Sequence, residues 1–365
     1  MPKLIRSSLL TFVALAAVAC NGETSTTPEG PGAPFTYELA LTVTGLAADD
    51  FIYRFDWDLE GTFWAATING LLIRIQNGEQ TTWDTHDWDR WNGRILDMFM
   101  DAQGRPWVSA ELGYAWFEDG QWSHREEFGG DPIIFPVTAV AAAPNGDLLF
   151  GTGQPGSGGL VSRISGIWSR IDRNNSPYPS TITIDIDVGT DNEFWASASP
   201  TGGPGGLARV VSGEVTEVYN LSSQLLFNWI DAIEVGSGGI WLGYAVPGFN
   251  QPGVAEGGIQ QLVPSTDRLT TWDPYDTEVV SNRVRTLTEA PDGSLWFTVS
   301  PDTDLLGCDT CKPGVGYIGT DGRVTAISSL NSGLAEDAFL PWIAADHQGA
   351  VHFALGQTQI MRVIR

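Results

Sequence analysis

Several groups of residues in this sequence have types and spacings that could support chemistry. GTGQPG at 151–156 satisfies the G-x-G-x-x-G pattern of dinucleotide-binding loops, and Cys308 and Cys311 form a C-x-x-C pair. Two acidic stretches, DWDLEG at 56–61 and DIDVGTDNE at 185–193, could offer carboxylates to calcium. The histidines, which could serve as general acids or bases, are His86, His124, His347 and His352.

The surroundings of these motifs argue against most of that chemistry. GTGQPG is followed by GLVSRI, which reads as another strand, so no helix N-terminus is present to bind a pyrophosphate. Neither acidic stretch has the loop spacing with a distal bidentate Glu that identifies a calcium loop. The sequence contains no G-x-S-x-G and no H-E-x-x-H. We therefore predict no metal site and no cofactor.

The cysteine pair lies in LLGCDTCKPG. In an exported protein we expect Cys308 and Cys311 to form a short disulfide that staples this loop. A zinc site would need two further ligands, and the sequence has no partner pair at a suitable spacing. A thioredoxin-type motif needs a helix after the first cysteine, which Lys312-Pro313-Gly314 prevents.

Residues 1–19 have the features of an export signal. Lys3 and Arg6 precede an apolar stretch at 9–19 that is too short for a lasting transmembrane helix. The ending AVAC resembles the lipobox of bacterial lipoproteins, although Ala17 stands where that family usually has Leu. The resemblance implies that Cys20 is acylated and becomes the mature N-terminus. The alternative is an ordinary secretory signal followed by a chance cysteine.

Residues 20–34 are rich in Thr, Pro, Gly and Glu, which predicts a flexible tether between the anchor and a globular part at 35–365. Asn21 follows the cysteine, and by resemblance to lipoprotein sorting rules this favours the outer membrane of a bacterial cell envelope. The formal charge is −25, and removal of the signal with Lys3 and Arg6 makes it −27. Such a surface repels nucleic acid and anionic lipid, so we expect membrane attachment through the anchor only.

A repeat runs through the globular part. The stretch APDGSLWFT at 290–298 has blurred copies. Aligned on its Trp296, the equivalent positions are 42 to 56 residues apart: Trp64, Trp107, Leu149, Trp195, Trp241, Trp296 and His352. Periods in this range are typical of propellers and solenoids.

Each unit contains four strand-like runs, which in the first unit are FIYRFDW, GTFWAAT, GLLIRI and EQTTWD. The fold prediction is an all-β, seven-bladed β-propeller with four-stranded blades. The last unit has only three strands, so we expect FTYELALTV at 35–43 to complete the seventh blade as its outer strand and to close the ring.

RVRTLTEAPDGSLWFT and GLLIRI resemble the two-component regulator propeller repeat, and APDGSLWFT followed by GVGYIGTDGRVTAI resembles the virginiamycin B lyase type of propeller. The lyase resemblance would imply a catalytic His with acidic and metal-holding partners on one face. Here WFTVS stands where such proteins commonly read WFTE, and the four histidines do not converge on the predicted topology. We therefore predict no catalytic residue in this chain from its resemblance to the lyase.

Most of the repeated residues have a structural interpretation. Tryptophans at the GxLW position and on the outer strands are expected to pack between the twisted blades. The Asp and Gly of the DxxG turns, beginning at Asp58, Asp101 and Asp346, are expected to bond the turn backbone and to adopt positive φ, respectively.

A ligand is expected at the mouth of the central channel, where loops carry aromatic and charged residues. The predicted binding residues are Trp88, Trp91, Arg94, Tyr178, Trp229, Tyr275, Arg283 and Trp342. The alternative is that these rings pack between loops. Insertions at 245–258 and 300–314 would rise beside each other on the same face, either as functional loops or as tolerated insertions.

The functional prediction is therefore a surface-tethered lipoprotein that binds an extracellular carbohydrate or protein ligand. The alternatives are a metal-dependent lyase or lactonase that uses the propeller mouth, and a structural component of the envelope. The sequence does not identify the ligand.

Overall fold

The computed structural model describes residues 34–88, 94–132, 136–189, 191–244, 257–273, 283–299 and 312–365. The predicted signal, lipidation site and most of the tether lie outside these residues. So do Trp91, Tyr275, both cysteines of the C-x-x-C pair and most of the two insertions.

Seven four-stranded antiparallel sheets follow one another along the chain. The strands of blades one and two are β2 (Ile52–Trp57), β3 (Phe63–Thr67), β4 (Leu71–Gln76), β5 (Glu79–Asp84), β6 (Ile95–Met100), β7 (Pro106–Ala110), β8 (Gly113–Glu118) and β9 (Gln121–Arg125). A small hairpin, β10 (Glu127–Phe128) and β11 (Asp131–Pro132), precedes blade three. The strands of blades three and four are β12 (Val137–Ala142), β13 (Leu148–Thr152), β14 (Gly159–Ile164), β15 (Ile167–Ile171), β16 (Thr183–Val188), β17 (Phe194–Ala198), β18 (Gly206–Val211) and β19 (Glu214–Tyr219).

Blades five, six and seven comprise β20 (Ala232–Gly236), β21 (Gly239–Tyr244), β22 (Gly258–Val263), β23 (Arg268–Trp272), β24 (Val284–Glu289), β25 (Leu295–Val299), β26 (Gly314–Ile318), β27 (Val324–Ser328), β28 (Ile343–Ala345), β29 (Val351–Leu355), β30 (Gln359–Ile364) and β1 (Thr36–Thr42). The helical elements of the described residues are three 3-10 turns, Thr85–Asp87, Pro200–Gly202 and Leu221–Ser223. None of the helices among these residues is long and apolar enough to span a membrane.

The first and last strands of the chain pair with each other, which confirms the predicted closure. β1 lies antiparallel to β30, with Thr36 opposite Ile364 and Thr42 opposite Gln359. Just before β1, the buried ring of Phe35 meets Trp296 of blade six edge to face, with their centroids 5.1 Å apart. The N-terminal segment therefore completes blade seven and also contacts its neighbour.

Repeated turns between the first two strands hold the repeat tryptophans in place. In blade two, Oδ1 of Asp101 accepts the backbone N–H groups of Gln103 and Arg105, and Oδ2 accepts the indole N–H of Trp107 at 2.9 Å. In blade one, Asp58 Oδ2 likewise accepts the indole N–H of Trp64, at 3.0 Å. The glycine of the blade-two turn, Gly104, has a φ of +75°, which L side chains rarely adopt.

The repeat tryptophans themselves are buried between blades. Trp64, Trp107, Trp195, Trp241 and Trp296 are each at most 6% exposed. The seventh equivalent position, His352, is also buried and packs against Trp57, with ring centroids 4.4 Å apart. The core thus runs around the ring as successive clusters between adjacent sheets, as expected for a propeller.

Candidate functional site

A cavity of about 500 Å³ lies at the central channel, at the end where the chain enters the innermost strand of each blade. Every blade contributes one side chain to its lining at an equivalent position, here called the mouth ring. The mouth ring consists of Tyr53, Leu96, Thr138, Ile184, Asp231, Arg285 and Pro341. Because all seven repeats meet there, this cavity is the candidate functional site of the described structure.

A β-bulge explains how the mouth ring faces the channel. In β2, Ile52 pairs with Thr67 and Arg54 pairs with Ala66, so Tyr53 is an extra residue in the strand. The same two-for-one pairing marks four further mouth-ring residues, Leu96, Thr138, Ile184 and Arg285. A bulge redirects side chains that strict alternation would send elsewhere, and bulges are common beside functional sites.

The wall of the cavity formed by blades seven and one is aromatic. Phe339 packs edge to face on Phe51 with their centroids 4.7 Å apart, and Phe51 lies 6.4 Å from Tyr53. Phe339 is 45% exposed, an unusual position for a large apolar ring. This wall can accept a flat or apolar part of a ligand.

A guanidinium already occupies one place on this side of the channel. The Arg54 guanidinium carbon lies 4.2 Å from the Tyr53 ring centroid and 4.0 Å from that of Trp342. Arg54 Nε also pairs with Asp97 Oδ1 at 3.3 Å. Aromatic faces and a carboxylate together satisfy this cation, as in other cation–π sites.

Five carboxylates line the channel below the cavity and are here called the channel carboxylates: Asp56, Asp97, Asp185, Asp187 and Glu234. Four of them accept a backbone N–H from the innermost strand of the next blade. The pairs are Asp97 with Val140, Asp185 with Ile233, Asp187 with Val235, and Glu234 with Glu289, at 2.6 to 3.2 Å. These contacts join blades two to three, four to five and five to six.

Burial and mutual repulsion favour the protonated forms of these carboxylates. Burial raises the pKa of Asp56 to about 7, and burial together with the nearby Asp97 raises the pKa of Asp185 to about 8. Burial raises the pKa of Asp187 to about 6 and that of Glu234 well above its usual range. The channel therefore holds more negative groups than it can easily keep ionised.

The residues predicted from sequence lie outside the mouth cavity wherever the structure describes them. Trp88 stacks on His124 with centroids 5.2 Å apart, and Arg94 is exposed next to β6. Trp229 and Arg283 are half-buried in the segments that lead into blades five and six. None of these four side chains lines the cavity.

Two further residues of the predicted set make packing contacts in the structure. Tyr178 is 1% exposed, lies in the apolar core between blades three and four, and bonds Thr183 Oγ1 through its hydroxyl at 2.7 Å. Trp342 lies beneath Arg54 and donates its indole N–H to the backbone carbonyl of Phe55 at 2.9 Å, which joins blade seven to blade one. Tyr178 is too deeply buried to contact a ligand, and Trp342 supports the cavity from behind.

The structure also locates the two acidic stretches and the histidines, which the sequence offered as possible metal ligands or catalysts. Asp56 lines the channel while Asp58 bonds its own turn, and Asp185 and Asp187 bond the next blade, so the two acidic stretches are used by the protein itself. Among the described residues no three His, Cys, Asp or Glu side chains are grouped so that they could hold a metal ion. Nor do the histidines converge at the cavity, whose described lining includes none of them.

Sequence reasoning missed the mouth-ring residues, and one signal could have identified them. Five of the seven mouth-ring residues are the second residue of the innermost strand of their blade: Tyr53, Leu96, Thr138, Ile184 and Arg285. Aligning the units on their turns places these residues in one ring. The predicted binding residues were chosen for aromatic rings and charges on loops, and those that the structure describes lie outside the lining of the cavity.

Comparison with known sequences is uninformative for this chain. No protein-family model matches it. No curated protein sequence matches it either. The similarity that exists is structural.

The extracellular domain of BT3049 from B. thetaiotaomicron, assigned to a hybrid two-component system, superposes with a TM-score of 0.65 at 16% identity. The match covers 90% of this chain and 41% of that domain, so the present chain spans less than half of it. A catalytically inactive variant of virginiamycin B lyase from Staphylococcus aureus, solved with quinupristin, gives 0.65 at 15% identity over 90% of this chain and 99% of the lyase.

A streptogramin B lyase structure superposes with a TM-score of 0.64 at 17% identity, covering 90% of this chain and 97% of the lyase. At such identities a structural likeness establishes the fold and leaves activity open. The chain is therefore a seven-bladed β-propeller with the fold of two-component regulator extracellular domains and streptogramin-type lyases.

Proposed function

We propose that this protein is an extracytoplasmic binding module, anchored to the bacterial envelope through a lipid on Cys20, that binds a carbohydrate or protein ligand at the mouth cavity. The observation that carries the proposal is the mouth ring, in which one side chain from each of the seven blades lines the same cavity of about 500 Å³. A cavity of this size with mixed apolar and polar lining is typical of ligand sites.

The placement of the site supports binding by a rigid scaffold. Bulges in five blades aim the mouth-ring residues at the channel, while the packed repeat tryptophans hold the sheets that carry them. Similarity to extracellular domains of sensor systems supports an extracytoplasmic location and a binding role, because such domains share this fold.

A metal-dependent lyase or lactonase is the second candidate. It is favoured by the superposition on virginiamycin B lyase, which extends over 90% of this chain. The residues described at the cavity include Tyr53, Asp231 and Arg285 but no histidine that could act as the general base of such an enzyme. The binding role therefore agrees better with the lining of the cavity.

Ligand arrays would test the binding role. Glycan and peptide arrays should give a specific signal with the wild-type protein that Phe339→Ala reduces at least tenfold, because that ring forms the exposed part of the cavity wall. Ile167→Ala is the matched control, since Ile167 is 72% exposed on an outer strand and should leave the signal unchanged. Equal binding by all three proteins would remove the cavity as the site.

Metal analysis separates the two candidates. Protein purified without chelator should contain less than stoichiometric divalent metal if it is a binding module. One equivalent of bound divalent metal per chain, lost together with hydrolysis or lyase activity on chelation, would favour the enzyme.

The anchor is tested separately. Wild-type protein expressed with its first 19 residues should partition into the detergent phase, and Cys20→Ser should move it to the aqueous phase. Aqueous partitioning of the wild type would favour the ordinary secretory signal.

A further inference from the structure

On the basis of the proposed function, we infer that the ligand of the mouth cavity presents an organic cation, an ammonium or guanidinium group on an apolar stem, to the aromatic wall above the channel carboxylates. The site is the cavity, and the carboxylates beneath it select the charge. The following observations on the cavity wall, the charges and the size support this class of ligand.

The cavity wall already binds a group of this kind within the protein. Arg54 lies against the rings of Tyr53 and Trp342 at 4.2 and 4.0 Å and pairs with Asp97. Phe51 and Phe339 continue the same aromatic wall outward, and Phe339 leaves nearly half of its surface exposed. A second cation can therefore find the combination of aromatic rings and nearby carboxylates that holds the first.

The charges that face the channel are mostly negative. Taken blade by blade over the described residues, they are Arg54 and Asp56 from blade one, Asp97 from blade two, Asp185 and Asp187 from blade four, Asp231 and Glu234 from blade five, and Arg285 from blade six. At the aligned positions, blade three contributes Thr138 and blade seven contributes Pro341 and Trp342. In the part of the chain that the structure describes, six acidic groups thus accompany two arginines.

Where these groups are ionised, the imbalance makes the potential at the mouth negative, and the field grows as Asp56 and Asp185 lose their protons with rising pH. A channel lined by one sign of charge within a protein of low dielectric concentrates the field at its opening. The chain as a whole adds to this field, with a formal charge of −25. An anionic ligand would have to bind against the field, whereas a cationic one would be drawn into the cavity.

The size and lining of the cavity favour an organic cation over a bare metal ion. Its volume of about 500 Å³ and its Phe, Leu, Ile and Pro lining suit an alkyl stem. Such a group could belong to a free polyamine or to a lysine or arginine side chain of a protein partner.

Binding of a cation should be linked to release of protons. The pKa values of Asp187, Asp56 and Asp185 are raised to about 6, 7 and 8 because burial disfavours their charged forms. A cation in the cavity stabilises those charged forms and so lowers the pKa values. Affinity should therefore rise as the pH increases from 6 to 8.

The test is calorimetric titration of the purified protein at 150 mM NaCl with spermidine, trilysine, triglutamate and cellopentaose. At this salt concentration, weak contacts on the exposed surface are largely screened. We expect one cation per chain, bound more tightly at pH 8 than at pH 6, with proton release revealed by buffers of different ionisation enthalpy. Preference for spermidine or for trilysine distinguishes a free amine from a basic protein segment.

Two variants that change the charge of the mouth ring in opposite directions test the electrostatic argument. Asp231→Asn should weaken cation binding about fivefold and Arg285→Gln should strengthen it about fivefold, from the Coulomb energy of one charge at several ångströms in a partly aqueous site. Arg268→Gln removes the same charge on the exposed outer strand of blade five and should leave the affinity unchanged.

Three results would overturn the inference. They are equal cation affinity for the mouth variants and the wild type, triglutamate binding that is lost in Arg285→Gln, and cellopentaose binding that depends on Phe339 but not on Asp231. The last two would still leave the cavity as a ligand site, so the proposed function would survive them. Failure of every array ligand and every probe to respond to Phe339→Ala would instead contradict the proposed function itself.

Discussion

Carboxylates occupy two regions of blades one, two and four, the turn after the innermost strand and the channel side of that strand, and they have different roles in each. Turn carboxylates such as Asp101 bond the N–H groups of their own blade and the indole of its tryptophan. Channel carboxylates such as Asp185 bond the backbone of the next blade. The first kind shapes a blade, and the second kind connects blades.

The two regions also differ in how fully their charges are compensated. Asp101 is met by two backbone N–H groups, an indole N–H and the guanidinium of Arg105 at 2.8 Å. Asp185 receives two backbone N–H groups, from Ile186 and Ile233, and lies near other acids. The same side chain is therefore a structural anchor in the turn and a source of unbalanced charge in the channel.

Among the single substitutions, the largest effect is expected in the turn. Asp101→Ala should lower the free energy of unfolding by about 3 kcal/mol, because it leaves the indole of Trp107 and two backbone N–H groups without their acceptor and Arg105 with Glu118 as its remaining carboxylate. Urea denaturation followed by tryptophan fluorescence measures this. Glu60→Ala, an exposed change in the corresponding turn of blade one, should stay within about 0.5 kcal/mol. Equal stability of the two variants would contradict the anchoring role.

The channel should make stability depend on pH. The folded-state pKa values of Asp187, Asp56 and Asp185, at about 6, 7 and 8, lie above their unfolded values near 4, so folding takes up protons between these limits. Their contribution is complete below about pH 4 and is lost as the pH rises through 6 to 8, by about 1.4 kcal/mol per pH unit for each proton. Urea titrations at pH 5, 6.5 and 8 should show decreasing stability. Constant stability over this range would show that the channel carboxylates stay ionised.

A single channel substitution should have the smallest effect and the most specific one. Asp185→Asn removes one titrating group, so the fall in stability between pH 6.5 and 8 should become shallower than in the wild type. Comparing the slopes of the two proteins avoids any offset from the altered hydrogen bonds. Asp172→Asn, at the outer edge of blade three, is the control and should leave the slope unchanged. An identical slope in Asp185→Asn would assign the pH dependence to other groups.

The architecture could be predicted because it depends on residues that repeat. Trp64, Trp107 and Trp296 recur at the same place in each unit, and the DxxG turns that hold the first two repeat with them. FTYELALTV was identifiable as the closing strand because the last unit lacked one. These residues recur in the sequence because every blade has to pack against its neighbours in the same way.

The site could not be predicted in the same way, because it depends on how the blades differ. The mouth-ring position carries Tyr53 in one blade, Asp231 in another and Pro341 in a third, with no shared chemistry. The bulge at Tyr53 also shifts the alternation of the strand, so counting inward and outward positions fails there. Tyr178 and Trp342 were predicted to bind a ligand because they are aromatic residues in or beside loops. In the structure Tyr178 packs in the core, and Trp342 connects blade seven to blade one.

The pairing of β1 with β30 also sets an order for folding. Thr36 and Ile364 face each other, although nearly the whole propeller lies between them in the chain. Blades one to six can each form from contiguous residues as they emerge during synthesis. Blade seven has to wait for its last strand, and until then β1 remains an unpaired strand that could join another chain. Closure of the ring is therefore expected to be the slow, final step, completed only after all seven units are available in one compartment.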